Sequence, residues 1–151
     1  MSVKADWEPA PEPRQDVALP AAVLAVIERS SRLTAAEFDA LDEAERTDAW
    51  ARLVAWDVLK SQLRGEPYAS QRLTASESVG RAVGDAARTA GVATLDDDYW
   101  RSSVGPGGGA LRAARCAAVT MIAPSRLDRD LLELLLRPWK LVIDVPEREG
   151  R

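Results

Sequence analysis

The segment that most constrains the fold runs from Glu43 to Arg64, because it contains neither glycine nor proline and its apolar side chains recur at helical spacing. Gly65 and Pro67 follow it directly. A glycine after the last periodic residue and a proline shortly beyond it are helix stop signals. The segment therefore predicts one long amphipathic helix starting after Asp42. Its predicted inner face consists of Ala49, Leu53, Trp56 and Leu63, flanked by Trp50, Val54 and Val58.

Capping and stop signals predict the other helices. Thr34–Glu37 and Thr74–Glu77 both have the capping-box pattern, and Phe38 and Leu41 form the apolar pair behind the first box. No β-branched run has a partner segment with which to form a strand. The further predicted helices run from Pro20 to Ser30 or Ser31, from Thr74 to Ala90 with Gly91 as the stop, from Ala110 to Pro124, and from Asp128 to Arg137, after which Pro138 kinks or restarts the chain.

The 151 residues provide enough chain for one domain and too little for two ordinary ones. With 46% apolar and 29% charged residues, the chain can bury a core and solvate its surface. Pro9, Pro11 and Pro13 favour an extended segment before the first helix. The prediction is an all-α single-domain bundle of five or six helices at residues 20–145, with a Pro-rich N-terminal arm at 1–19 and a polar tail at 146–151.

Two helices carry candidate contact surfaces. Five leucines between Leu131 and Leu136 cover most of a helix, which predicts burial on nearly every side. Because exposed apolar patches of that size mark interfaces, we expect a homodimer with this helix or its neighbour at the contact. Gly80 and Gly84 predict close backbone approach by another helix. The candidate interface residues are Leu132, Leu135, Leu136, Trp139, Gly80 and Gly84.

Trp7 lies in the Pro-rich arm, where a disordered segment normally carries no tryptophan. It either packs back on its own domain or docks on another protein, and the first is the default expectation.

The absence of histidine excludes His-based triads, Cys-His dyads and His-ligated metals. Cys116, the single cysteine, lies in a helical segment rich in alanine, which predicts a buried thiol that is not a nucleophile. Asp96–Asp98 suits helix capping better than cation binding, and Asp57 is expected to form a solvated pair with Lys60. No catalytic residue, metal or cofactor is predicted, and these sequence features together argue against an enzyme.

The glycine-rich stretch 105–109 leads into a helix that carries two arginines. Backbone N–H groups at a helix start bind anions, so Gly107, Gly108, Gly109, Arg112, Arg115 and Trp100 form a candidate anion or ligand site. The competing interpretation is a flexible linker. The tryptophans either line a ligand pocket or fill the core, and core filling is the more common role.

The net charge of −4 disfavours binding of nucleic acid. Acidic residues also interrupt the arginines of the C-terminal third, which disfavours it further. No apolar run is long enough to cross a bilayer, and the first residues lack the apolar stretch of a secretory signal, so the expected compartment is the cytosol. Two functional hypotheses remain. The first is a noncatalytic helical protein-interaction or accessory module, expected to be homodimeric. The second is a small-molecule or anion-binding protein, conceivably an enzyme, that uses the glycine-rich stretch and its arginines.

Overall fold

A computed structural model of the chain describes residues 17–92 and 108–143. These residues form a compact all-helical bundle without a strand, which confirms the predicted fold class. Six α-helices lie within these residues: α1 (Ala21–Ser30), α2 (Ala35–Arg46), α3 (Ala49–Gln62), α4 (Tyr68–Ala90), α5 (Gly108–Thr120) and α6 (Arg129–Val142), with a 3-10 turn at Pro124–Arg126. Trp7, Asp96–Asp98, Trp100 and Gly107 lie outside the described residues.

The helix boundaries follow the capping signals in part. Thr34 forms the predicted capping box with Glu37, and Gly91 closes α4 in the left-handed conformation at φ 72°. The second predicted box is wrong, because α4 begins at Tyr68 and Thr74 lies within the helix. A capping pattern does not mark the start of a helix when the residues before it are themselves helical.

The predicted single helix from Glu43 to Arg64 is wrong. The chain turns at Thr47 and Asp48, and Asp48 adopts a left-handed conformation with φ 61°. Beyond this turn α3 buries Arg52, Ala55 and Leu59, so its inner face differs from the predicted one. Leu53, which was expected to be buried, is exposed.

The central helix is α5, which packs against α1, α2, α4 and α6. Eleven of its thirteen residues are buried, and most are glycine or alanine. Small side chains allow four neighbouring helices to approach one axis closely, which explains why this helix, rather than the leucine-rich one, is covered on nearly every side.

Helix α6 is strongly one-sided. Leu135, Leu136 and Trp139 are buried in the chain's own core, while Leu132 is half-buried and Leu141 is exposed. The expectation of burial on nearly every side is therefore wrong, since charged residues form the outer face. The helix also continues through Pro138 to Val142. Leu135, Leu136 and Trp139 are thus covered within the chain, and the interface expected at this helix stays a prediction.

The glycines of α4 do not mark a close helix contact in the described residues. A Cβ built on Gly80 has no atom within 4 Å, and one on Gly84 meets only the Arg88 side chain, at 3.9 Å. Close approach occurs instead at Gly109, where a Cβ would lie 2.8 Å from the Cα of Asp42. Helix α5 can therefore pack on α2 only because Gly109 has no side chain.

None of the described helices combines the length and apolarity needed to span a membrane.

Candidate functional site

The outer side of α3 is an exposed apolar surface. Trp50 is 74% exposed, Leu53 55%, Val54 48% and Val58 40%. We call these four residues the α3 face. Single exposed apolar residues are ordinary, but four on adjacent turns of one helix form a continuous patch of the kind that marks a contact surface.

The α3 face borders a cavity of about 500 Å³ between α3, α5 and the end of α2. We call this cavity the pocket. Its wall is mainly apolar and aromatic, as is typical of small-molecule sites, with a few charged groups. The lining residues are Glu45, Ala49, Trp50, Arg52, Leu53, Trp56, Arg112, Arg115 and Cys116.

Glu45 organises the charged side of the pocket. Its side chain is 3% exposed, and its two carboxylate oxygens accept hydrogen bonds from Arg52 Nε at 3.0 Å and Arg112 Nε at 3.2 Å. Arg52 Nη2 also donates to the carbonyl oxygens of Glu45, at 2.7 Å, and Thr47. Arg52 therefore supplies hydrogen-bond donors and positive charge to the C-terminal end of α2, where carbonyl groups lack helical partners.

Arg115 differs from the other two arginines of the pocket. It makes no hydrogen bond or ion pair within the described residues, and its Nε atom is buried without a partner. Burial lowers the pKa of its guanidinium, with the positive charge of Arg112 as a further cause. Because an arginine stays protonated nonetheless, Arg115 places a positive charge at the pocket wall, where the carboxylate of Glu77 attracts it without forming an ion pair.

Cys116 is the buried thiol that the sequence predicts. Burial, helped by the nearby carboxylate of Glu45, raises the pKa of this thiol to about 12. At neutral pH the sulfur is therefore protonated and a poor nucleophile.

The structure brings together only part of the predicted anion site. Arg112 and Arg115 both line the pocket, but Gly108 and Gly109 are buried in the first turn of α5 and do not form an open loop. The Ala110 N–H at this helix start donates to Asp42 Oδ1 at 2.9 Å. A carboxylate of the chain itself thus occupies a position at which an external anion was expected.

Sequence reasoning missed Asp42, Glu45 and Arg52 as organising residues. The signal for Arg52 was its position one turn before Ala55 and one more before Leu59, on the inner side of α3. A charged residue at such a position needs a buried partner, and Glu45 is the acidic residue that supplies it.

The tryptophans divide between the two roles considered. Trp139 fills the core, whereas Trp50 and Trp56 line the pocket. Asp57 and Lys60 form the expected exposed pair, with 3.7 Å between Lys60 Nζ and Asp57 Oδ1.

The arrangement is suited to binding. In the described part of the chain no group of three or more metal-ligating side chains converges. Among the described residues, Glu45 is the only carboxylate in the pocket lining; it is engaged by two arginines, and the thiol is protonated. The wall therefore offers apolar contact and positive charge, and Glu45 is poorly placed to act as a general base.

No known protein family matches the sequence, and comparison with curated proteins and with solved structures finds no significant similarity.

Proposed function

We propose that this protein is a noncatalytic helical interaction module that forms a homodimer through the α3 face. The observation that carries the proposal is the exposure of Trp50, Leu53, Val54 and Val58 on one side of a helix. Within the described residues helix α3 packs mainly on α6, and the outer side of α3 remains exposed. Covering this patch removes apolar surface from water, which is the main driving force of association.

The order of residue sizes along α3 suits contact with a second copy of the chain. Val54 lies midway between Trp50, toward the N-terminal end of α3, and Val58, toward the C-terminal end. If two α3 helices pack antiparallel about a two-fold axis near Val54, the large Trp50 of each copy meets the smaller Val58 of the other. Such an interface uses the same patch on both copies, as two-fold dimers do.

The charges on this surface are also compatible with self-association. Asp57 and Lys60 lie on the same side of α3 as the apolar residues and neutralise each other. Two copies therefore meet without a large like-charge repulsion, and the antiparallel arrangement aligns opposite ends of the two helix dipoles.

The test is the mass in solution, measured by sedimentation equilibrium from about 5 to about 500 µM, with Val54→Glu as the variant. The wild type should show a monomer–dimer equilibrium. The variant should weaken it at least about tenfold, because two glutamates would face each other at the axis. Leu24→Glu is the matched control, since Leu24 is a similarly exposed apolar residue on α1, and it should leave the dimer unchanged.

A wild type that remains monomeric throughout this range would contradict the proposal. Equal weakening by the two glutamate variants would contradict it as well, because the effect would then not be specific to α3.

A further inference from the structure

We propose that the pocket is a binding site for a small organic carboxylate with an apolar body, whose negative group pairs with Arg115 and whose body lies against Trp50 and Trp56. This goes beyond the dimer proposed above and does not depend on it. Trp50 and Leu53 belong to both surfaces, but Val54 and Val58 do not line the pocket, and Arg115 and Cys116 are not part of the α3 face, so each proposal can be tested at residues of its own.

The charge of the pocket favours an anion. The described residues of its lining carry three guanidinium groups and one carboxylate. Arg52 and Arg112 share that carboxylate, whereas Arg115 has no hydrogen bond or ion pair within the described residues. A carboxylate next to the Arg115 guanidinium would neutralise its charge, and hydrogen bonds between ionised groups are the stronger kind.

The apolar part of the ligand follows from the rest of the wall. Trp50, Leu53, Trp56, Ala49 and Cys116 offer ring faces and aliphatic surface. A volume of about 500 Å³ lies within the usual range for sites of drug-sized molecules. A strongly hydrated ion such as inorganic phosphate would leave this apolar surface unused.

The test uses three pairs of ligands that share a body and differ in charge: benzoate and benzamide, 1-naphthoate and 1-naphthamide, decanoate and decanamide. Dissociation constants are measured by tryptophan fluorescence and by calorimetry. At least one carboxylate should bind about tenfold or more tightly than its amide. If no carboxylate binds more tightly than its amide, the proposal is overturned.

Arg115→Met tests the charge, because methionine keeps an unbranched apolar stem and removes the guanidinium. This variant should bind the carboxylate and the amide equally, and retained binding of the amide shows that the pocket is still folded. Arg129→Met, at an exposed position on α6, is the matched control and should keep the preference for the carboxylate. If Arg115→Met keeps that preference, Arg115 is not the anion-binding group and the proposal fails.

Ala49→Trp tests the location. Ala49 is exposed and lines the pocket, so a tryptophan there should occupy the space and weaken both members of a pair. Unchanged affinity in this variant would place binding elsewhere and overturn the proposal.

The two proposals fail separately. Val54→Glu should leave the affinity for the carboxylate unchanged when measured at a concentration where the protein is monomeric. Arg115→Met should leave the monomer–dimer equilibrium unchanged in the absence of ligand.

Discussion

At the residue scale, Glu45 holds two arginines in a nearly dry environment. Its carboxylate bridges Arg52 and Arg112, and Arg52 is itself buried. Removing one partner of a buried ion pair leaves an uncompensated charge away from water. The stability of the bundle is thus expected to depend strongly on this one carboxylate.

Glu45→Gln should therefore lower the free energy of unfolding by about 3–5 kcal/mol in urea denaturation. Glu43→Gln provides the matched control two residues away, since Glu43 pairs with Arg46 in solvent and both side chains are exposed. Its effect should be less than about 1 kcal/mol. Similar losses in the two variants would contradict the role assigned to Glu45.

Cys116 predicts a specific pH dependence. The folded thiol has a pKa of about 12, against an ordinary value of 9.0, so the thiolate is less stable in the folded protein than in the unfolded chain. The protonated thiol makes its full contribution to the free energy of unfolding below about pH 9. This contribution is lost as the pH rises from about 9 toward 12, by about 1.4 kcal/mol per pH unit. Urea denaturation at several pH values measures this loss.

The matched variant is Cys116→Ala, which removes the titrating group. The difference in stability between wild type and variant should be constant below about pH 9 and should shift against the wild type above it. A difference that stays constant into the alkaline range would show that the thiol titrates normally.

At the element scale, the contact of α5 with α2 depends on Gly109. A methyl group there would lie 2.8 Å from the Cα of Asp42, so backbone must shift. Gly109→Ala should destabilise the protein by about 1–3 kcal/mol, as overpacking does. Thermal and urea denaturation check this.

Gly80→Ala is the matched control and should act in the opposite direction. A Cβ at Gly80 has no atom within 4 Å, and alanine is the better helix former by about 1 kcal/mol. The variant should therefore be more stable than the wild type by up to that amount. If the variant is less stable than the wild type, the space around Gly80 is not open, and the close helix contact predicted there from the sequence is supported instead.

At the scale of the whole molecule, the helices should differ in local stability. Helix α5 packs on four helices, whereas α3 packs mainly on one. In hydrogen exchange followed by mass spectrometry, peptides from 108–120 should exchange most slowly and those from 49–62 fastest among the helices.

This measurement is made at a concentration where the protein is monomeric, because covering α3 in a dimer would also protect it. Equal protection of α3 and α5 in the monomer would contradict this distribution of stability.

The sequence by itself determined the helical class, the first capping box, the end of α4 at Gly91 and the buried thiol of Cys116. These features depend on local rules, since caps, left-handed glycines and helical periodicity act within a few residues. Part of the site could be predicted by the same local rules, because Arg112 and Arg115 lie one turn apart on one helix.

Only the tertiary structure decided where α2 ends, which side of α3 is buried and what meets the start of α5. Arg52 can turn inward because it finds Glu45 and the carbonyl groups of α2, and this places Leu53 and Trp50 outward. Asp42 meets the Ala110 N–H from a distant part of the chain. Helical periodicity ranks residues by apolarity and cannot include a buried ion pair whose stability depends on partners brought together by folding. The pocket exists for the same reason, because its walls come from three helices that meet only in the folded bundle.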